Sequence, residues 1–382
     1  MNVYVRELVS ALAQAGVACD VYTRAWSDDL APEVNVEPGV RVVHVEAGPR
    51  TEVPKESLPE VVPAFTDGVI EHIRAAGDVD AIHANYWLSG VAGHTAKHEL
   101  ELPLVSTFHT LARVKVDADV AESAERVRAE ADVIRCSDAI LANGAEEADD
   151  LVRHYDARAE RIEIVPPGVD HAFFSPGDRD GARAALGWTA ADRISAAGGR
   201  GAVQHPVLLF VGRIQPLKGL DVAVGTLAEL DDPTAELVVV GGPSGADGPG
   251  ELTRVLDLAH DLGVAERIRW VEPQPHHLLS TWYRAADVVL VPSRSESFGL
   301  VALEAAACGR PVVAAAVGGL RTIVEDAQTG FLVEGRDPAS HAHAVDTLLR
   351  DESLAAAMGR AGAERAGRYT WSTAAARLRR LY

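Results

Sequence analysis

The chain alternates short runs of consecutive apolar residues with longer stretches in which apolar residues recur every three or four positions. The first pattern predicts buried strands and the second amphipathic helices. A helix comes first: in residues 2–15 the apolar positions are Val3, Val5, Leu8, Val9, Leu12 and Ala13. Strands are expected over 17–23, 41–45, 80–87, 104–110, 139–143 and 162–165. Helices over 61–76, 88–97, 121–136 and 146–155 separate the later ones. Such alternation predicts a parallel sheet with its loops gathered at one edge.

A second series follows. A short helix over 180–186, capped by Asp180, precedes a Gly/Ala-rich stretch over 194–206 that reads as a linker. Strands are expected over 207–212, 236–240, 268–271, 287–291 and 311–316, with a hairpin-like piece over 325–333. The helices fall at 252–262, 278–286, 300–307, 338–350 and 353–368, and a last one starts near Thr370 or Ser372 as its cap. The fold class is therefore α/β, with two Rossmann-like units: an N-terminal domain over 1–170, a linker over 171–206, a C-terminal domain over 207–365 and a final helix within 366–382. A Rossmann-like domain ordinarily opens with a strand feeding a glycine loop. Here the helix comes first, so the first strand and its loop are expected to be missing from the chain.

Length and composition narrow the class. A chain of 382 residues with 47% hydrophobic content suits two packed domains. No apolar run is long enough to span a membrane, and no signal-peptide pattern opens the chain. The net charge of −20 argues against nucleic acid as a partner. An anionic substrate would need a local basic cluster. The three cysteines, Cys19, Cys136 and Cys308, lack metal-ligand spacing, which fits a reducing cytoplasm, no zinc site and small buried apolar roles.

The most informative run joins the strand over 287–291 to the helix over 300–307 through Ser295-Glu296-Ser297-Phe298-Gly299. Pro292 ends the strand. A helix N-terminus at the carboxyl end of a parallel strand presents unpaired N–H groups to an anion. Glu296 and Glu304, eight positions apart, flank it and suit sugar hydroxyls. Diphosphate on the N–H groups of Ser297, Phe298, Gly299 and Leu300, with hydroxyls on the carboxylates, outlines a nucleotide-sugar site. Earlier in the same domain, Arg213 and Lys218 stand five apart on another strand-end loop and could clasp a diphosphate. In the first half, Tyr86, His109 and Thr110 fall at strand ends, with Lys55 on a loop and Arg126 on a helix. Two cations and two hydroxyls would make a phosphate receptor.

Glu296-x7-Glu304, preceded by Pro292-Ser293 and followed by Cys308-Gly309-Arg310-Pro311-Val312, resembles the signature of retaining glycosyltransferases of family 4. Gly212-Arg213-x4-Lys218-Gly219 matches that family's second motif in the expected order. The resemblance implies a GT-B fold, with two parallel sheets facing a cleft and the last helix returning to the first domain. It implies a UDP-sugar donor, held at the diphosphate by Arg213 and Lys218, at the ribose by Glu304, at the sugar by Glu296 and at the uracil by Gln274. Asn85-Tyr86-Trp87-Leu88-Ser89-Gly90 and Phe108-His109-Thr110-Leu111-Ala112-Arg113-Val114-Lys115 are similar to one branch, the inositol-3-phosphate N-acetylglucosaminyltransferases of mycothiol biosynthesis. That branch implies an acceptor phosphate on Lys55, Tyr86, Thr110 and Arg126, an inositol contact at Asn2, and His109 facing the reaction centre. It also associates backbone groups of Tyr283, Arg284 and Ala286 with Mg2+, although no cofactor is required. Phe108 and Arg113 depart from the branch pattern, and the loop is also similar to that of sucrose-phosphate synthases. Acceptors such as fructose 6-phosphate or a lipid-linked sugar therefore stay open, as does a homodimer. From another class, a non-catalytic nucleotide-sugar binding protein or an inactive remnant stays open too.

Overall fold

The first half folds as α1 (Asn2–Gln14), β1 (Cys19–Arg24), β2 (Glu33–Glu37), β3 (Val40–Val45), α2 (Leu58–Ala76), β4 (Ile82–Asn85), α3 (Trp87–Leu100), β5 (Leu104–Thr107), α4 (Ala112–Asp117), α5 (Ala124–Cys136), β6 (Ala139–Ala142), α6 (Ala145–Tyr155) and β7 (Ile162–Ile164). The second half folds as α7 (Arg179–Ala185), β8 (Val207–Val211), α8 (Leu220–Glu229), β9 (Glu236–Val240), α9 (Gly248–Asp261), β10 (Ile268–Val271), α10 (Leu279–Ala285), β11 (Val288–Val291), α11 (Leu300–Ala307), β12 (Val312–Ala315), α12 (Leu320–Ile323), β13 (Gly330–Val333), α13 (Pro338–Arg350) and α14 (Glu352–Ala366). The chain ends in α15 (Trp371–Leu378). This computed structural model describes residues 2–117, 122–188, 205–245 and 247–382. Its contacts divide the chain into two units, Met1–Gly168 with Trp371–Tyr382, and Val169–Thr370.

In the first unit, β4, β5, β6 and β7 form a parallel sheet in that order. A separate sheet has the order β1-β3-β2, and among the described residues no ladder joins the two. Strand β2 was not expected from the sequence and runs antiparallel to β3. Its polar residues Glu33, Asn35 and Glu37 alternate with Val34 and Val36, which are both exposed, so it contributes nothing to the core. The last helix belongs to this unit. Trp371, Ala374, Ala375 and Leu378 of α15 join Tyr4, Leu8 and Leu12 of α1 in one buried cluster with Val105 and Leu141. The Trp371 ring meets that of Tyr4 edge-on at 5.4 Å.

The second unit holds a six-stranded parallel sheet in the order β10-β9-β8-β11-β12-β13, with apolar clusters on both faces. Strands buried on both sides need continuous apolar runs, and β8 (VLLFV) and β11 (VVLV) supply them. The piece over 325–333 is no hairpin, because β13 pairs parallel with β12. Gly330 allows that approach: a Cβ there would lie 2.2 Å from the Val312 carbonyl oxygen. Residues 171–188, read as part of a linker, pack within the second unit. The Arg183 guanidinium donates to the Ala285 carbonyl and to Asp287, at 2.8 and 2.7 Å. Asp178, not Asp180, caps α7 by accepting from the Gly181 N–H. Residues 189–204 of the expected linker lie outside the described residues.

Trp371→Ala should destabilise the first unit by about 3–5 kcal/mol, the usual cost of emptying a large aromatic site. Urea unfolding followed by near-ultraviolet circular dichroism checks this. An unchanged midpoint would mean that α15 contributes nothing to that core.

Candidate active site

Strand order in the second sheet reverses between β8 and β11, because β9 and β10 extend one way and β12 and β13 the other. Connections leave such a point in opposite directions and open a crevice at the carboxyl ends of the strands. The loops after β8 and β11 border it, and they carry both motifs. Each leads to a helix whose N-cap is a left-handed glycine without a side-chain cap: Gly219 (φ 69°) for α8 and Gly299 (φ 97°) for α11. The first N–H groups of both helices are thus left for an external acceptor.

The two loops are knitted together. A Cβ on Gly219 would lie 1.9 Å from the Pro292 carbonyl oxygen, so only glycine permits the approach. The Arg294 N–H donates to the Leu217 carbonyl at 2.8 Å. Lys218 Nζ donates to Glu296 Oε2 at 2.6 Å, and Ser293 Oγ lies 3.4 Å from the same oxygen. Behind Glu296, its carbonyl accepts from the Gly319 N–H at 2.8 Å. Arg213 is exposed at the start of the β8–α8 loop.

Glu304 keeps different company. It is buried in α11, and Tyr283 Oη donates to its Oε2 at 2.8 Å while His276 Nε2 meets its Oε1 at 2.7 Å. Burial, reinforced by that carboxylate, raises the Tyr283 phenol well above its ordinary range. His276 and the Tyr283 hydroxyl were missed from the sequence. Neither has a spacing relation to Glu304 that a pattern could reveal. Gln274 donates its amide to the Glu272 carbonyl at 2.9 Å. Phe298 is buried against Tyr369, with ring centroids 6.0 Å apart, while Ser297 and Leu300 are half-buried.

Tyr283, Arg284 and Ala286 offer Mg2+ little. The Tyr283 carbonyl accepts from the Ala286 N–H, and Ala286 is fully buried. The Arg284 guanidinium is bound to the carbonyls of Ser175 and Phe173. Magnesium favours carboxylate and phosphate oxygens, and none of these three residues is acidic. The set does not fit the ion, and no step is derived through it.

In the first unit the neighbours β4 and β5 both end on left-handed non-glycine residues, Tyr86 (φ 80°) and His109 (φ 61°). Such conformations cost energy and concentrate at functional sites. His109 Nε2 meets Asn85 Oδ1 at 2.9 Å, and its ring meets Tyr4 edge-on at 4.7 Å. Asn2 opens α1 two residues before Tyr4, which places it at the same end of the unit. Desolvation pushes the His109 imidazole down to about 3, so the ring is neutral at physiological pH.

Arg126 is buried in α5 and organises the rest. Its Nη2 donates to the Thr110 carbonyl and Oγ1, both at 3.0 Å, and its guanidinium lies 5.2 Å from the Tyr86 ring centroid. Its Nε and Nη1 hold Glu130 and Glu122 at 2.7 and 2.8 Å. Lys115 reaches the same Glu122 oxygen at 2.6 Å. Burial raises the Glu122 carboxyl, but Lys115, Arg126 and Lys55 together bring it below its ordinary range. Lys55 itself is exposed on its loop. Arg126 therefore gathers Thr110 and the Tyr86 ring, while Lys55 acts on Glu122 through its charge. Glu122 and Glu130 were missed, although each stands four residues from Arg126, Glu130 one turn along α5 and Glu122 just before its Ser123 cap.

Two Rossmann-like units, one carrying paired loops at a strand-order reversal, define the class as a GT-B glycosyltransferase. Residues 1–173 match the family "Glycosyltransferase Family 4" and residues 199–365 "Glycosyl transferases group 1". D-inositol 3-phosphate glycosyltransferase from Geodermatophilus obscurus is 47% identical over 97% of this chain and 81% of that one. The protein of the same name from Xylanimonas cellulosilytica is 46% identical over 100% and 91%. Among solved structures, sucrose-phosphate synthase from Thermosynechococcus elongatus superposes with a TM-score of 0.90 at 32% identity, covering 100% of this chain and 92% of that one. Anabaena HepE, solved with UDP-glucose, shares the fold at 22% identity and a TM-score of 0.74, covering 89% and 85%. The chain belongs to the family 4 glycosyltransferases, together with the relatives named D-inositol 3-phosphate glycosyltransferase. No helix among the described residues is long and apolar enough to cross a membrane.

Arg126→Leu should cost about 3–5 kcal/mol at pH 7, because it strands Glu130 as a buried carboxylate and leaves Glu122 with Lys115 alone in direct contact. The depressed Glu122 contributes stability that is full above the unfolded carboxylate range, near about 4.3, and is lost as pH falls through the folded value. The gap between wild type and variant should therefore narrow on acidification from pH 7 to pH 4. Urea midpoints at the two pH values measure it, and an equal or wider gap at the lower pH refutes the assignment.

Proposed function

We propose that the protein transfers N-acetylglucosamine from UDP-N-acetylglucosamine to 1D-myo-inositol 3-phosphate, with retention at the anomeric carbon. One observation carries the acceptor half: three cations, Arg126, Lys115 and Lys55, act on the single carboxylate of Glu122. A phosphate monoester has the charge to take that carboxylate's place, with the hydroxyls of Thr110 and Tyr86 as further donors and Asn2 at the inositol ring. The names of the relatives support the same acceptor.

On the donor side, Arg213 and Lys218 neutralise the diphosphate, and backbone N–H groups around Ser297 to Leu300 complete its cradle. Glu296 takes the sugar hydroxyls, Glu304 the ribose and Gln274 the uracil. The Lys218–Glu296 ion pair keeps both side chains placed until the diphosphate and the sugar share them. No side chain in the motifs is an evident nucleophile. In a front-face displacement the departing diphosphate oxygen accepts the proton of the acceptor hydroxyl, while Lys218 stabilises the charge left on the diphosphate. His109, being neutral, contributes hydrogen bonding and not charge. These roles suit a cytoplasmic enzyme with a diffusible donor and acceptor.

The likeness to sucrose-phosphate synthase favours a second reading, in which the acceptor is fructose 6-phosphate. Release of UDP from UDP-N-acetylglucosamine should require inositol 3-phosphate and not occur with fructose 6-phosphate. The reverse result selects the second reading, and tight UDP binding without release for either acceptor selects a binding protein.

Lys218→Ala should lower kcat by about 100-fold or more, the scale for losing one transition-state charge contact. Glu304→Ala should mainly weaken UDP binding. Near-normal turnover in the Lys218 variant removes the assignment. The pH–rate profile should show no His109 inflection between pH 5 and 8, because burial has moved its titration down to about 3.

A further inference from the structure

On the first unit, α3 and α5 pack closely because of Gly90: a Cβ there would lie 2.9 Å from Val133 Cγ1. One and two turns beyond Gly90, His94 and His98 follow at four-residue steps and share its stripe of α3. One turn beyond Val133, α5 ends on Cys136. The ligand atoms of His94, His98 and Cys136 all lie within 4.8 Å of one another, and Cys136 Sγ is 3.3 Å from His98 Nε2. The junction is held from beside. Lys97 Nζ donates to the Cys136 carbonyl at 2.8 Å and to Asp138 at 2.6 Å.

We propose that His94, His98 and Cys136 form a binding site for a late first-row divalent cation, Zn2+ above all. Two imidazoles and one thiolate are the donor set that such ions prefer over Mg2+ or Ca2+. Tetrahedral coordination at zinc bond lengths needs ligand atoms about 3.5 Å apart. The Cys136–His98 distance already meets this, and closing the widest pair takes small rotations of side chains that are not fully buried. Three protein ligands leave a fourth position for water on the exposed His98 side. The ion clips α3 to α5. Those helices carry Tyr86 at the start of one and Arg126 near the start of the other, so the clip bears on a cluster that it does not touch. Spacing in the sequence does not pair Cys136 with the His-x3-His of α3, because the two lie about forty positions apart.

The test is a Co2+ titration of the full-length, reduced, metal-stripped protein. A thiolate-to-cobalt charge-transfer band and tetrahedral ligand-field bands should saturate near about one equivalent and vanish on adding Zn2+. The charge-transfer band should be lost in Cys136→Ser, and affinity should fall about 10-fold or more in His98→Ala, an exposed position whose change leaves the fold intact. Excess Zn2+ should raise the unfolding temperature of the wild type and not that of either variant. Absence of the charge-transfer band, or the same Zn2+-induced shift in wild type and both variants, overturns the site. None of these readouts depends on the transferase reading.

Discussion

The reversal of strand order between β8 and β11 is the constraint from which the donor side of this protein follows. Two parallel strands whose connections diverge leave their outgoing loops side by side with no crossover above them. Those loops then approach until backbone meets backbone, which Gly219 alone allows against the Pro292 carbonyl. The close approach brings Lys218 to Glu296. It also sets two uncapped helix N-termini next to each other. A cation, a carboxylate and two helix N-termini without side-chain caps result from a single topological fact.

The first unit uses a different device. Its cluster is built on a buried guanidinium, Arg126, held by two carboxylates one turn away on either side and by Thr110 from the end of β5. Taking such charges out of water is costly and is offset only when every partner is present. The arrangement is therefore rigid, and it fixes Thr110 and the Tyr86 ring along with the charge. The left-handed backbones of Tyr86 and His109 belong to the same rigidity, because neighbouring structure must hold conformations that those residues would not adopt alone. Where the second unit sets two helix N-termini without side-chain caps side by side, the first pairs its cations with carboxylates.

Most of the fold was legible because its strands are buried and its helices amphipathic. The predicted bounds of α11 and α13 coincide with those observed, since each lies between a clear start and a clear stop: Gly299 and Cys308-Gly309 for one, Asp337 and Asp351 for the other. Strand β2 escaped because an edge strand with both valines exposed has no hydrophobic face. Strand β13 was misread because a Gly-containing turn before a short apolar run looks the same whether its partner is its neighbour in sequence or β12.

The sequence by itself determined which side chains stand together locally. A motif is a local spacing, and local spacing sets which side chains leave a loop or a helix turn together: Arg213 with Lys218, Ser297 to Leu300 with Glu304. Only the tertiary structure decided the company each one keeps. It gave Glu296 to Lys218 and Glu304 to His276 and Tyr283, drew Lys115 and Lys55 toward Glu122, and set Cys136 against the imidazoles of α3. Those pairings join elements far apart in the chain, and sheet order and helix packing, which bring such elements together, leave no trace in a one-dimensional pattern.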